Sequence, residues 1–289
     1  MITQLIFNST VSGLLLALVA LGFNLIFSTT KVFHIAHGAV YVGGAYCFWW
    51  LSNNGFPFWI SILGSIIITA LLAMILEYLV YRPLDKKKSG QAITLISSMG
   101  VYLFLVNLIA LLFGNNSIIL NTNLGSSISF LNLNIVPVQG VQLLVSTLLI
   151  GLFLWHTKAK WFLNVKAMIS ESTVASVMGV NTYAIRMYAV IVGSLLSVSA
   201  SVLLLYDTGM SPHAGMGITL SAVVAVIIGG TDSFKGTLAA SLLIAFLQTG
   251  TEWFFSAQWK EGITFLLLIA VILWRTEGIV SFNLRVEEQ

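Results

Sequence analysis

The sequence predicts an all-α protein, a polytopic helix bundle embedded in a membrane. Hydrophobic residues make up 58% of the 289 residues, charged residues make up only 8%, and the mean hydropathy is +0.97. Soluble domains carry about 25% charged residues, so a chain this apolar has too little polar surface to face water on all sides. The apolar residues form runs of about 20, the length of a membrane-spanning helix. Because no linker or low-complexity stretch divides the chain, we expect residues 1–289 to form a single transmembrane domain.

Nine apolar segments are candidates for spanning helices. The second and seventh are short and contain glycine, so either one is a candidate for a broken or partial span, and we expect eight or nine transmembrane segments in all. The candidate segments are 5–28, 36–52, 57–80, 92–113, 138–156, 184–206, 215–231, 236–255 and 262–280.

Basic residues orient these segments across the membrane. They cluster at 82–88, at 158–186 and at the end of the chain, where Arg275 and Arg285 lie. Cytoplasmic loops are enriched in Lys and Arg, so all three regions are predicted to be cytoplasmic. The stretch 115–136 has no charge and is rich in Asn and Ser, which suits a loop on the other side. An odd number of crossings then places the N-terminus outside and the C-terminus in the cytoplasm.

Several function classes are disfavoured by the composition and spacing of the polar residues. The net charge of +3 comes from basic residues scattered among loops, which indicates membrane topology and not binding to nucleic acid. His34 and His37 are three residues apart, but no Cys or carboxylate lies close enough in sequence to complete a metal site. Since no His, Asp, Ser or Cys residues cluster at catalytic spacing, we expect neither an enzyme nor a bound cofactor.

The segment 229–237, Gly-Gly-Thr-Asp-Ser-Phe-Lys-Gly-Thr, has some likeness to a phosphate-binding loop. That loop requires Gly-Lys followed directly by Ser or Thr, whereas Lys235 here precedes Gly236. We therefore expect no ATP hydrolysis by this chain alone, and we interpret the segment as a tight turn between two membrane helices. The residues of the predicted turn are Gly229, Gly230, Asp232 and Gly236.

A polar break at 157–186 interrupts the apolar pattern on the predicted cytoplasmic side. Ser170 and Glu171 suit the start of a helix, and Gly179 suits its end. A short capped helix with an apolar face, lying between two spanning segments, suits docking of a soluble partner. An ordinary connecting loop fits the same residues equally well. The apolar face of this predicted helix consists of Val174, Val177 and Met178.

Polar side chains inside membrane segments are costly to bury in lipid, so their positions are informative. One interpretation is that they form hydrogen bonds between helices and hold the bundle together. The other is that they line a polar path, for which the candidates are Asn24, His37 and the neighbouring Gly38. The polar residues within segments are Asn24, His37, Asn107 and Gln248, with Glu77 and Glu252 near segment ends.

Three groups of residues, in order along the chain, carry a family resemblance. The first comprises 20–27 (Ala-Leu-Gly-Phe-Asn-Leu-Ile-Phe), 32–39 (Val-Phe-His-Ile-Ala-His-Gly-Ala) and 43–46 (Gly-Gly-Ala-Tyr). These resemble the Leu-Gly-Leu-Asn-Leu run, the Asn-Phe-Ala-His-Gly box and the Gly-Ala-Tyr of the branched-chain amino-acid ABC transporter permease family. Here the box begins His34-Ile35 instead of Asn-Phe.

The other two groups lie in the second half of the chain. The polar break is similar to the family's Arg-Ala…Ala…Leu-Gly-Ile-Asn…Arg loop, through Lys166, Ala167, Ala175, 178–181 (Met-Gly-Val-Asn) and Arg186. The stretch 225–237 is similar to the family's Leu-Gly-Gly-x-Gly-Ser-x-x-Gly-Ala turn, with Asp where Gly is usual. The chain length resembles that of the family's shorter permease subunit.

The resemblance implies a multi-pass permease subunit of an importer in the bacterial cytoplasmic (inner) membrane. A periplasmic or lipid-anchored binding protein would deliver substrate, a second related permease would complete the path, and two ATP-binding subunits would dock on the cytoplasmic loops. Exposed apolar side chains of Ala175, Val177 and Met178 would enter a groove on the ATPase, and Glu171 would fix the orientation. The expected coupling residues are Lys166, Ala167, Glu171, Ala175, Met178, Gly179 and Val180.

The substrate and the transport class have alternatives at this stage. The resemblance favours Leu, Ile or Val, but relatives also take up urea or short-chain amides. A different class, an ion-coupled secondary transporter or channel without an ATPase, would need a deeply embedded charged residue as its coupling site. Asp207, Glu252 and Glu261 all lie near predicted segment ends, which disfavours that class.

Overall fold

The computed structural model of the chain describes residues 2–120, 128–130 and 133–274. Apart from two short strands, the regular structure in these residues is helical. A π-helical turn, Glu77–Tyr81, continues α3 into α4, and a 3₁₀ turn, Ala257–Trp259, precedes the last helix. The helices are α1 (Ile2–Thr30), α2 (His37–Asn53), α3 (Phe58–Leu76), α4 (Arg82–Lys86), α5 (Gln91–Phe113), α6 (Pro137–His156), α7 (Phe162–Ser170), α8 (Ser172–Val177), α9 (Thr182–Leu205), α10 (Gly215–Gly229), α11 (Phe234–Phe254) and α12 (Lys260–Trp274).

The predicted outside loop contains a β-hairpin that the sequence did not indicate. Strand β1 (Ile128–Phe130) pairs antiparallel with β2 (Leu133–Ile135), and Ile128 lies opposite Ile135. Ahead of the hairpin, Ile118 forms a short antiparallel bridge with Met210, which holds this loop against the connection between α9 and α10.

In the described part of the chain, five helical stretches are long and apolar enough to cross a membrane. They are α1, the continuous stretch Phe58–Lys86, α5, α6 and α9. The protein is therefore a multi-pass helical membrane protein. The second and seventh predicted segments correspond to α2 and α10, which have only 17 and 15 residues. The expectation of eight or nine full spans, and of their orientation, stays a prediction.

The helices differ greatly in how much of their surface other helices cover. About 78% of the most apolar window of α1 and 61% of that of α9 are buried, compared with 22–28% for α5, α6 and Phe58–Lys86. Helix α1 lies at the centre, against α9, α10 and α11. The outer helices expose rows of large apolar side chains, as expected for helices whose outer faces contact lipid. Hydrophobic side chains thus lie both in the core of the bundle and on its outer surface, which agrees with a chain that is 58% hydrophobic and only 8% charged.

Both short helices begin at a close contact inside the bundle. After α1 the chain leaves helical geometry at Lys31 (φ 54°) and turns back before α2 starts. In the first turn of α2, Gly38 packs against the backbone of Gly215, the first residue of α10. A Cβ atom on either glycine would overlap the other's carbonyl oxygen. Only glycine permits so close an approach of two backbones, and the contact fixes where both helices start.

The charges divide the bundle into two ends. One end, called the basic end below, contains the junctions α1–α2, α4–α5, α6–α9 and α10–α11; the other is called the opposite end. Of the residues described, the Lys and Arg side chains at the basic end are Lys31, Arg82, Lys86, Lys87, Lys88, Lys158, Lys160, Lys166, Arg186 and Lys235.

Candidate functional site

The polar break folds into two short helices at the basic end. Helix α8 corresponds to the predicted capped helix: the Glu171 carboxylate accepts a hydrogen bond from the Thr173 amide at 3.4 Å. Gly179 follows α8 in the left-handed region (φ 85°), where glycine is favoured because it has no Cβ. The Asn181 side chain then caps α9, accepting from the Ala184 amide at 3.0 Å. Helix α7 was not predicted. We call residues 157–181, which contain the residues predicted to couple to an ATPase, the coupling segment.

Helix α8 presents an apolar tip to its surroundings. The exposed fractions of Val174, Val177 and Met178 are 55%, 83% and 77%. The prediction that Ala175 is exposed beside them is wrong, because Ala175 is 1% exposed. Residues three and four apart share one face of a helix, so 174, 177 and 178 point outward together while position 175 faces the protein.

Helix α7 fixes the coupling segment to the bundle. Phe162, Val165 and Met168 on its inner face are all buried. The Phe162 ring contacts Phe234, the first residue of α11, with a ring-centroid distance of 6.1 Å. On the α9 side, Trp161 packs edge-to-face on Tyr188 at 4.6 Å. The segment therefore touches several long helices at once, which an ordinary flexible connection would not do.

The predicted coupling residues divide between the surface and the interior of this segment. Lys166 and Glu171 are exposed, whereas Ala167 and Val180 are half-buried. The Lys31 ammonium group, at the end of α1, donates to the Ile169 carbonyl oxygen at 3.3 Å and so joins α1 to α7.

A buried ion pair connects the start of α9 to the long stretch Phe58–Lys86, which we call the third span because it corresponds to the third predicted segment. Arg186 Nε lies 2.8 Å from Glu77 Oε1, and the two side chains are only 8% and 1% exposed. Arg186 Nη1 also lies 3.3 Å from Asp85 Oδ2, on a side chain that is 59% exposed. Glu77 begins the π-helical turn, a local widening of the helix that is frequent at functional sites.

Sequence reasoning missed this ion pair. It placed Glu77 near a segment end and used Arg186 as a topology signal and as part of the family's loop pattern. The pair spans 109 positions of sequence, so no local spacing reveals it. The Arg82 guanidinium lies 3.9 Å from the centre of the Tyr183 ring, in a cation–π contact that also joins the third span to α9.

The Asn24 amide makes a hydrogen bond at each end, one to another helix and one within α1. It is fully buried; Nδ2 donates to Thr237 Oγ1 at 2.6 Å, and Oδ1 accepts from Ser28 Oγ at 2.6 Å. Ser28 Oγ also contacts the Thr231 carbonyl oxygen at 2.5 Å. These contacts join α1 to α11 and to the turn that precedes it. The predicted role of Asn24 in a translocation path stays a prediction.

His37 lies in a buried cluster below the break between α1 and α2. Neither of its ring nitrogens has a hydrogen-bond partner among the described residues, and its ring packs against Phe23. The neighbouring His34 bonds through Nδ1 to the Tyr81 hydroxyl at 2.6 Å, and that hydroxyl lies 2.9 Å from Ser98 Oγ. The described residues contain no group of three or more His, Cys, Asp or Glu side chains able to hold a metal ion.

The segment between α10 and α11 is a short turn built on glycine. Gly230 has φ 88°, and Gly229 and Gly236 pack so closely that a Cβ on either one would overlap the other's backbone. The Ser233 hydroxyl caps α11 by accepting from the Gly236 amide at 3.0 Å. Asp232 is exposed at the basic end. The turn thus holds α10 and α11 close together.

Comparison with known proteins identifies the family. The family model described as "Branched-chain amino acid transport system / permease component" matches residues 5–272. The chain belongs to this family. Because the match includes the central helices, the coupling segment and the glycine turn, these features lie within the permease component itself. Membership agrees with a transport protein and not with an enzyme.

Relatives over nearly the whole length carry consistent descriptions. The chain is similar to the "High-affinity branched-chain amino acid transport system permease protein LivH" of Salmonella typhimurium, with 27% identity over 96% of this chain and 95% of the relative. It is also similar to the permease protein BraD of Pseudomonas aeruginosa, at 26% identity with the same coverage. An archaeal relative, a probable LivH of Methanocaldococcus jannaschii, is 27% identical over 93% of this chain and 89% of its own length.

A solved structure supports the fold. The chain resembles a chain of "PsaBC from Streptococcus pneumoniae in complex with Fab", with a TM-score of 0.55 and coverage of 94% of this permease and 95% of that chain. The sequence identity is 14%, so this similarity supports the helical architecture alone.

Proposed function

We propose that this permease is half of the transmembrane path of a bacterial ABC importer for the branched-chain amino acids Leu, Ile and Val. Its partners are a second homologous permease, two ATP-binding subunits on the cytoplasmic side, and a periplasmic or lipid-anchored substrate-binding protein. Family membership and the descriptions of the full-length relatives support the substrate class.

The main support for this proposal is the exposed apolar tip of the coupling segment. Its exposed tip, formed by Val174, Val177 and Met178, is apolar although it stands at the most highly charged end of the protein. Exposed apolar side chains ringed by polar ones are typical of protein–protein contacts. The tip therefore suits insertion into a groove on an ATP-binding subunit, with Lys166 and Glu171 at the rim of the contact.

The same segment supports a route from the ATPase to the membrane helices. A displaced α8 moves α7, which packs on α1 and α9 and, through Phe162, contacts Phe234 at the start of α11. The beginning of α9 is joined to the long third span through Arg186 and Glu77. ATP-driven closure then changes the relative positions of helices that line the path. Such a mechanism requires two bundle states that bind the closed ATPase pair differently.

The test is uptake of radiolabelled leucine by cells that express the permease together with the other subunits of its importer. Val177→Glu places a charge in the proposed contact, so we expect uptake to fall at least about tenfold, while Val177→Leu retains it. Membrane insertion, followed by immunoblot, should be unchanged in both variants. Wild-type uptake by Val177→Glu would contradict the coupling role, and uptake of urea or short-chain amides in preference to leucine would contradict the substrate class.

A further inference from the structure

At the opposite end of the bundle, helices α1, α2, α6, α9, α10, α11 and α12 contribute residues to two adjoining cavities. Their volumes are about 490 and 280 Å³, which together lie in the range of small-molecule binding sites. We call the pair the α12 cavity, because the first residue of α12 lines both parts. The residues that line both parts are Ser12, Leu15, Leu204 and Lys260.

The charged side chains that the structure describes at the opposite end line the α12 cavity. In the described part of the chain, the opposite end contains four Asp, Glu, Lys or Arg side chains, and every one of them lines this cavity. The Lys260 ammonium group lies 3.9 Å from Glu252, so the two are only loosely paired. The charged set is therefore three carboxylates around one ammonium group. Its members are Asp207, Glu252, Lys260 and Glu261.

A buried acceptor of the α12 cavity has no partner in the described structure. Gln142 is 0% exposed, and its Nε2 donates to the Leu203 carbonyl oxygen at 3.0 Å. Gln142 lines the larger cavity, and its Oε1 accepts no hydrogen bond from any described residue. An unsatisfied buried acceptor is unfavourable by about 1–3 kcal/mol, so a ligand that brings a donor gains this interaction on binding.

The inner wall of the cavity is apolar and lies within the helix bundle. Leu16 and Tyr41 are 3% and 2% exposed, and Ile218 lies beside them. A small molecule can reach this wall, whereas the surface of a folded protein cannot. An aliphatic group fits here because the wall offers it apolar contacts and needs no hydrogen bond from it.

We propose that the α12 cavity holds one aliphatic α-amino acid in its zwitterionic form during passage through this subunit. The ammonium group lies toward Asp207, Glu252 and the free Gln142 oxygen, and the carboxylate binds Lys260. An amine without a carboxylate leaves Lys260 unused, and a carboxylate without an amine meets three like charges. This inference rests on the proposed function for its ligand, but the site itself is defined by the side chains that line it.

The first test measures which functional groups the cavity requires. The full-length permease, with the partners that co-purify, is placed in lipid nanodiscs, and bound radiolabelled leucine is displaced by unlabelled competitors. Leucine should compete at a concentration at least about tenfold lower than 3-methylbutylamine, which lacks the carboxylate, or 4-methylpentanoate, which lacks the amine. Equal or better competition by either analogue would overturn the proposal.

Variants then connect this specificity to the cavity. Lys260→Gln should weaken leucine binding by about tenfold or more, since the carboxylate partner is lost, and it should leave 3-methylbutylamine binding at least as strong, since Glu252 no longer faces an ammonium group of the protein. Lys260→Arg should retain leucine binding. Gln142→Leu, a substitution of similar size, should weaken both amines. Lys87→Gln removes an exposed lysine at the basic end and serves as the matched control. Equal loss of both ligands in Lys260→Gln would indicate a structural effect and overturn the assignment.

Uptake by the complete importer separates this inference from the proposed function. If cells import leucine and Lys260→Gln binds and imports it like the wild type, the cavity assignment fails while the proposed function stands. If the wild-type importer takes up no aliphatic amino acid, the proposed function fails as well.

Discussion

Neutralising Glu77 should destabilise the protein far more than neutralising the other carboxylate that contacts Arg186. At a separation of 2.8 Å and an effective dielectric constant of about 20, the gross attraction between Arg186 and Glu77 is about 6 kcal/mol. Desolvation of two groups that are 8% and 1% exposed offsets much of this attraction. Removing one partner leaves a buried charge, and we expect Glu77→Gln to lower the free energy of unfolding by about 3–5 kcal/mol.

Asp85→Asn is the matched control. Asp85 contacts the same guanidinium at 3.3 Å but is 59% exposed, so its loss should lower the free energy of unfolding by no more than about 1 kcal/mol. Unfolding is followed by titration with denaturing detergent in mixed micelles. In the double variant Glu77→Gln with Arg186→Gln the unpaired charge is gone, and the coupling energy of the cycle should be about 2–3 kcal/mol. A loss in Glu77→Gln no larger than in Asp85→Asn, or additive effects in the cycle, would refute this reasoning.

Three further predictions concern single contacts. Gly38→Ala should destabilise the protein by about 1–3 kcal/mol, because the added Cβ meets the Gly215 backbone. Gly43→Ala is the control, since a Cβ there makes only ordinary contacts and should not destabilise the protein. Equal unfolding transitions in the two variants would contradict the close contact. Gly179→Pro cannot adopt φ 85° and should uncouple ATP hydrolysis from uptake without affecting insertion, so tightly coupled transport would argue against it. Asn24→Leu should lower stability by about 1 kcal/mol through the lost bond to Thr237; reduced uptake at unchanged stability would instead favour a path role.

The main helices could be predicted because each one corresponds to a continuous run of apolar residues in the sequence. The segments predicted at 184–206 and 236–255 are found as Thr182–Leu205 and Phe234–Phe254. The short capped helix after Glu171 was predictable for the same reason, since its cap and its terminal glycine are adjacent in sequence. Segment length and glycine content also made the second and seventh segments candidates for broken or partial spans, and α2 and α10 are indeed only 17 and 15 residues long.

Contacts between distant residues could not be predicted in this way. The Arg186–Glu77 pair and the Gly38–Gly215 contact depend on how helices pack, which no local pattern encodes. The wrong expectation for Ala175 has a related cause: the composition of α8 indicated an apolar face, but the inward position becomes clear only when α7 is seen beneath it. The sequence places Asp207, Glu252 and Glu261 only near segment ends. Packing of α9, α11 and α12 brings these charges together around the α12 cavity, and no local pattern reveals this.

The central claim is that α8 docks on an ATP-binding subunit, and site-specific crosslinking from Val177 tests it most directly. Cys47 is the only cysteine and is replaced by Ala, so that Val177→Cys carries the single reactive thiol at a position 83% exposed. In native membranes, a short thiol-reactive photocrosslinker at this position should capture an ATP-binding protein, identified by mass spectrometry. The same reagent at an exposed position of the opposite end, Gln258→Cys, should not. Capture of no ATP-binding protein from Val177→Cys, in membranes that import leucine, would contradict the account.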